Sequence, residues 1–189
     1  MIRQKDAVVP ALLPALISSD PALRRNAAIA LGAVGMREAL PVLRETVRER
    51  NDYHFLDCRR SNQFPGVTAV CLIGRLGGAE DLSLLGEIVF DPAEFDRPFY
   101  HRLPPDYIYC DVMGCHFLFF QYFTHAAAAM MKIAARQGCG ETAALKKRLA
   151  ARFSGASREE LIRQVASRDG KESPVFAEEL SSFMDTVLA

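Results

Sequence analysis

Ala27-Ala28-Ile29-Ala30-Leu31-Gly32-Ala33-Val34-Gly35 recurs 42 positions later as Ala69-Val70-Cys71-Leu72-Ile73-Gly74-Arg75-Leu76-Gly77, with both glycines in register. The match continues past the second glycine. Glu38 falls on Glu80, Leu40 on Leu82, Val42 on Leu84, Leu43 on Leu85, Glu45 on Glu87 and Val47 on Val89. A third, weaker copy runs from Ala126 to Gly138 and is followed by Glu141 and Leu145; its Gly138 stands 61 positions after Gly77. Self-similarity at such a period marks a solenoid, in which each unit buries its apolar face only against its neighbours.

Residue types supply the physics of the unit. Leu23, Ala27, Ala30, Leu31 and Val34 recur at helical spacing and predict one apolar stripe, with alanines setting a short helix-to-helix distance. Asp20 followed by Pro21 reads as an N-cap and a first-turn proline, and Gly35 as the left-handed residue that ends a helix. Gly-x-x-Glu occurs at Gly35 and Glu38, Gly77 and Glu80, and Gly138 and Glu141, which places an acid in the first turn of the next helix, where the macrodipole favours it. These turns read as structural.

These residues resemble the HEAT repeats, and among them the HEAT-like repeats of phycobilisome bilin lyases and of many bacterial proteins. The resemblance covers roughly residues 9–150 and is closest over Asp20-Pro21-Ala22-Leu23-Arg24-Arg25-Asn26-Ala27-Ala28-Ile29-Ala30-Leu31-Gly32. It implies an all-α fold, an α-α superhelix of three to four helical pairs with a C-terminal helical cap. One domain is expected over 1–189, with repeats at about 8–34, 38–76 and 80–137 and a cap at about 141–189. Paired helices are predicted at 8–18 with 21–34, 38–49 with 64–76, and 80–89 with 112–137. Ser157-x-x-Glu160 and Ser173-Pro174 read as two further helix starts. The last would carry Phe176, Leu180, Phe183, Met184, Val187 and Leu188 on one face and close the solenoid. Arg24 corresponds to Gly66 in the second copy, which interrupts the family's ladder of acid and arginine side chains.

With 189 residues, half of them apolar, the chain is long enough for a continuous core. Formal charge is zero and the pI is near 6.9, which removes the basic footprint of a nucleic-acid binder. Five cysteines, an odd number, do not make a secreted disulfide framework and suit a reducing cytoplasm. Arg3 and Lys5 before the apolar run 7–17 mimic a secretory leader, but Asp6, Pro10 and Pro14 argue for the partner helix of the first repeat. No run reaches the roughly 18–20 apolar residues needed to span a bilayer. The chain begins almost inside its first helix, so that end could dock on a partner or a second copy. Arg24, Arg25, Arg44, Arg48 and Arg50 are interleaved with Glu45, Glu49 and Asp52 and predict a solvated face with local ion pairs.

The change of spacing from 42 to 61 puts about 19 extra residues between the second and third copies, near 90–110. Phe90–Phe123 holds 11 of the 17 aromatic residues. A second long connection spans about 50–65. Both join the first helix of a pair to the second, so both are expected on one edge of the solenoid. Tyr53, His54, Arg59, Arg60, Phe99, Tyr100, His101, Tyr107, Tyr109 and Asp111 are therefore the candidate ligand- or partner-binding residues; an apolar pocket with a few polar groups would suit a small aromatic ligand. Packing of the same aromatics as a satellite core is the plainer alternative. Cys110, Cys115 and His116, with Cys58, His54 and His101, have poor spacing for zinc, and no local signature supports a Cys–His catalytic pair. No metal, cofactor or catalytic residue is assigned. His125 is given no chemical role.

The reading reached is a non-catalytic interaction or scaffolding module that binds a protein partner or enzyme domain through loops 50–65 and 90–116. The resemblance allows two alternatives: an accessory domain of a flavin-dependent oxidoreductase, and a bilin or chromophore lyase.

Overall fold

The computed structural model describes residues 8–49, 65–91 and 112–152, with Ser154, Gly155 and Glu159; the side chains of 112–123 and Cys139 fall outside that description. The fold is all-α, and no strand occurs among the described residues. Residues 8–12 are helical and tighten into a 3-10 segment, Leu13–Ile17. Six α-helices follow: α1 Pro21–Ala33, α2 Leu40–Glu49, α3 Pro65–Leu76, α4 Leu82–Phe90, α5 Val112–Gln137 and α6 Cys139–Arg152. The expected pairing holds, with α2 and α4 each entered through a 3-10 turn, Arg37–Ala39 and Ala79–Asp81. The first helix departs from the uniform helix expected over 8–18, and Pro14 near the start of the 3-10 segment accounts for it, because it lacks a donor for an α-helical bond.

Both ends of α1 follow from its sequence. The Asp20 carboxylate accepts from Ala22 N at 2.8 Å and Leu23 N at 3.3 Å. At the other end Gly35 has φ +95°, Gly35 N donates to Gly32 O at 3.0 Å and Met36 N to Leu31 O at 3.0 Å, the paired bonds of a Schellman motif. Gly77 repeats the residue without that conformation. It is needed for space, since a Cβ there would run into the Asp81 carboxylate and the Ile73 carbonyl.

One core runs through the stack, and Leu31, Leu43, Val47, Ile73, Leu85, Ile88, Ile133 and Leu149 are its largest fully buried side chains. Each contributes about 1.5–3 kcal/mol by leaving water. The predicted stripe of α1 needs correcting. Its buried residues are Arg25, Ala27, Ala28, Leu31 and Gly32, so Arg25 is not on the solvated face expected of it, while Leu23 is 48% exposed; α2 and α3 pack against this helix. The second helices of the pairs, α1, α3 and α5, pack on one another along the stack. Small residues let them approach. A Cβ on Gly74 would lie 2.6 Å from Ala129 Cβ and 2.7 Å from its Cα, and one on Gly32 would lie 3.0 Å from Leu72 Cδ1.

Candidate functional site

The two edges of the stack are built differently. On the first, the turns after α1, α3 and α5 carry Gly35, Gly77 and Gly138, and arginines lock consecutive repeats there. Arg75 donates to Gly32 O at 2.5 Å and Ala33 O at 2.8 Å. One repeat on, Arg136 donates to Gly74 O at 2.9 Å and Gly77 O at 2.8 Å. Each cation sits on the carbonyls that end the preceding helix, where hydrogen bonding and the macrodipole both favour it.

Arg44 makes a second lock. From α2 it reaches the turn into α4, donating to both carboxylate oxygens of Asp81, at 2.5 and 3.0 Å, and to Glu80 at 3.2 Å. The Asp81 side chain has no exposed surface and also accepts from Gly78 N at 3.0 Å. The hydrogen bond to Asp81, reinforced by the Asp81 and Glu80 charges and opposed by desolvation, raises the Arg44 pKa above its ordinary value. Arg24 donates to Glu45 at 2.8 Å and to Ser18 O at 2.9 Å. The ion pairs of Arg24 and Arg44 both reach an acid of the next repeat, where the sequence had suggested local pairs along one face.

The opposite edge carries the ends of α2 and α4, at Glu49 and Phe90, and the start of α3 at Pro65; residues 50–64 and 92–111, which connect α2 to α3 and α4 to α5 in sequence, lie outside the described residues. In the Arg75–Arg136 register Pro65 corresponds to Ala126, so α5 carries 14 residues before that level, Val112–His125; at 1.5 Å per residue they are about 21 Å of additional helix. Phe117, Phe119, Phe120, Tyr122 and Phe123 belong to this helical extension. Tyr53, His54, Arg59, Arg60, Phe99, Tyr100, His101, Tyr107, Tyr109 and Asp111 lie outside the described residues, as do Cys58 and Cys110. Cys115 and His116 occupy successive positions of α5.

A groove of about 560 Å³ opens between α4 and α6 over α5, with Leu82, Phe90, Met130 and Leu145 in its walls and Glu87 and Glu141 among its polar residues. The Arg148 guanidinium lies 4.5 Å from the Phe90 ring centre, a cation–π contact between two residues of the groove lining.

No cluster of His, Cys, Asp and Glu among the described residues could hold a metal ion. Burial pushes the Cys71 thiol pKa up, partly offset by Lys132, so the thiol is poorly suited to act as a nucleophile. Burial, and then the Lys132 charge, lowers the His125 pKa and keeps its imidazole neutral near pH 7. No helix of the described residues is long and apolar enough to cross a membrane.

Sequence reading missed the carbonyl locks and Asp81. A signal existed for the locks, since an arginine stands two residues before the glycine at Arg75 and again at Arg136.

No curated protein and no solved structure matches the chain. Residues 2–54 match the family described as HEAT repeats, which places the first helical pair and the start of the second within that repeat type and supports HEAT-repeat membership.

Proposed function

We propose that the protein is a non-catalytic interaction module that binds a protein partner through its two enlarged connections, 50–65 and 90–116. HEAT repeats commonly serve as protein-interaction modules, and residues 2–54 match them. The observation that carries the reading is the asymmetry of the edges. One is occupied by intramolecular locks from Arg44, Arg75 and Arg136, whereas both long connections depart from the other, beside the extended α5. Surface loops on a rigid scaffold are where binding groups concentrate, and a row of rigid repeats holds them in fixed register.

The test uses the full chain and its double variant Tyr100→Ala, Tyr107→Ala as baits, with circular dichroism of both. The reading expects a partner held by the parent and lost from the variant at unchanged helicity. Equal capture by both would refute a role for these tyrosines, and loss of helicity would assign them to packing. The bilin-lyase resemblance of residues 20–32 has its own check: an absorbance shift on mixing with a bilin would favour a chromophore site over a protein partner.

A further inference from the structure

The Arg44 lock is not repeated one level along the stack. Registers of 42 and 61 residues set Gly86 in the place of Arg44, Glu141 in that of Glu80 and Thr142 in that of Asp81. The structure keeps the first register, since the 3-10 turns Arg37–Ala39 and Ala79–Asp81 lead into α2 and α4 at equivalent residues, and Arg75 and Arg136 keep the second. Between α2 and α4 the Arg44 guanidinium crosses from one helix to the acids of the next turn. Between α4 and α6 a glycine stands there instead, and the groove of about 560 Å³ has Gly86 in its lining. A Cβ on Gly86 would meet nothing nearer than Phe90 Cδ2 at 3.8 Å and Met130 Cε at 3.9 Å, so the place is open to a side chain.

The acids remain where the arginines are gone. Glu87 and Glu141 line the groove and are exposed, and among the described residues neither makes an ion pair. Glu87 corresponds to Glu45, whose partner Arg24 corresponds to Gly66. Glu141 corresponds to Glu80, which pairs with Arg44. Thr142 turns its hydroxyl to Gly138 O at 3.1 Å. Together with Asp91, the described lining carries three carboxylates against the guanidinium of Arg148. Met130, Ala134 and Leu145, all buried, form its apolar base. Acids beside an apolar base complement a planar cation on an apolar stem, which is the build of an arginine side chain.

We propose that this groove binds an arginine of a partner polypeptide, whose guanidinium takes the place that Arg44 fills one repeat earlier and pairs with Glu141 and Glu87. A guanidinium suits the site better than an ammonium, because its planar fork offers donors to two acceptors at once. Glu141 stands beside the Gly138 turn, on the edge opposite the long connections, so the arginine ligand and a partner held by those connections are separate occupants.

Fluorescence anisotropy of the intact chain with a labelled tripeptide, arginine between two leucines, tests the proposal. Analogues with lysine, and with citrulline, which has nearly the same shape and no charge, are the controls. The arginine peptide should bind about tenfold more tightly than the citrulline peptide, as two exposed ion pairs worth up to about fivefold each allow, with the lysine peptide between them. Glu87→Gln and Glu141→Gln should each weaken the arginine peptide by about threefold to fivefold and leave the citrulline peptide unchanged. Gly86→Arg should supply the missing guanidinium from within the chain and abolish binding at unchanged helicity; if that variant fails to fold, the two glutamine variants decide. Equal binding of the arginine and citrulline peptides, or no binding of the arginine peptide at millimolar concentration, would overturn the proposal. So would unchanged affinity in both glutamine variants. A dimer of the parent that Gly86→Arg dissociates would give the groove to a second copy and overturn it equally.

Discussion

Gly74→Ala is the smallest change that tests how the repeats are held together. The new Cβ would lie 2.6 Å from Ala129 Cβ and 2.7 Å from Ala129 Cα, against the 3.5–4.0 Å at which carbon atoms normally meet, so α3 and α5 must separate by about 1 Å. The obstacle is a backbone and a Cβ, with no flexible side chain to swing aside. Overpacking of this kind costs about 1–3 kcal/mol, and replacing a mid-helix glycine returns up to about 1 kcal/mol. The net expectation is a loss of about 1–2 kcal/mol, a fall in Tm on the order of 5 °C for a chain of this length. Gly86→Ala is the internal control, because its nearest atoms are Phe90 Cδ2 at 3.8 Å and Met130 Cε at 3.9 Å. That variant should gain up to about 1 kcal/mol. Ala129→Gly combined with Gly74→Ala removes the Cβ contact but leaves the Cα at 2.7 Å, so it should recover only part of the loss, a coupling outside simple additivity. Urea denaturation followed by circular dichroism measures all four variants. If Gly74→Ala proves neutral, or Gly86→Ala costs as much, close approach at Gly74 is not what sets the spacing of these helices.

Other predictions address the charged groups. Arg44→Ala leaves the fully buried Asp81 carboxylate with Gly78 N as its remaining described donor; with Arg44 itself a quarter exposed, the loss should be about 3 kcal/mol by urea denaturation. Arg24→Ala, which breaks the more exposed pair with Glu45, should cost about 1 kcal/mol or less in the same measurement. His125 has a lowered folded pKa, so below the unfolded value near 6.5 the unfolded chain binds the proton first and stability falls with pH. His125→Gln should therefore lose less stability than the parent between pH 7 and pH 5, as read by urea midpoints, and parallel pH profiles would contradict the shift.

The repeat was legible because it is written in residue types with local physical meanings. Asp20 and Pro21 form an N-cap and first turn by local chemistry alone, Gly35 ends a helix in the same way, and the small residues Gly32, Gly74 and Ala129 mark close helix approach. Bonds between repeats were harder to read. Arg75 and Arg136 bind backbone carbonyls, which leave no complementary residue in the sequence, and nothing in the sequence marks Asp81 rather than the neighbouring Glu80 as the buried acid. Leu23 shows the opposite failure, where a good local pattern was extended one step beyond what the neighbouring helices cover, and at Pro14 a uniform helix was expected across a residue that lacks the donor for it. Of the site, the sequence made legible where the long connections attach. Their side chains follow no repeat, so periodicity carries no information about them.

The central claim is that a partner engages the edge of long connections and leaves the glycine edge free. Carboxylate footprinting of the chain with and without a captured partner tests it within one experiment, because both edges carry acids. Labelling should fall at Asp52, Asp57, Glu94, Asp96 and Asp106 on partner binding and stay unchanged at Glu38, Glu80 and Glu141. Protection confined to Glu38, Glu80 and Glu141, with Asp52, Asp57, Glu94, Asp96 and Asp106 labelled as before, would contradict the account.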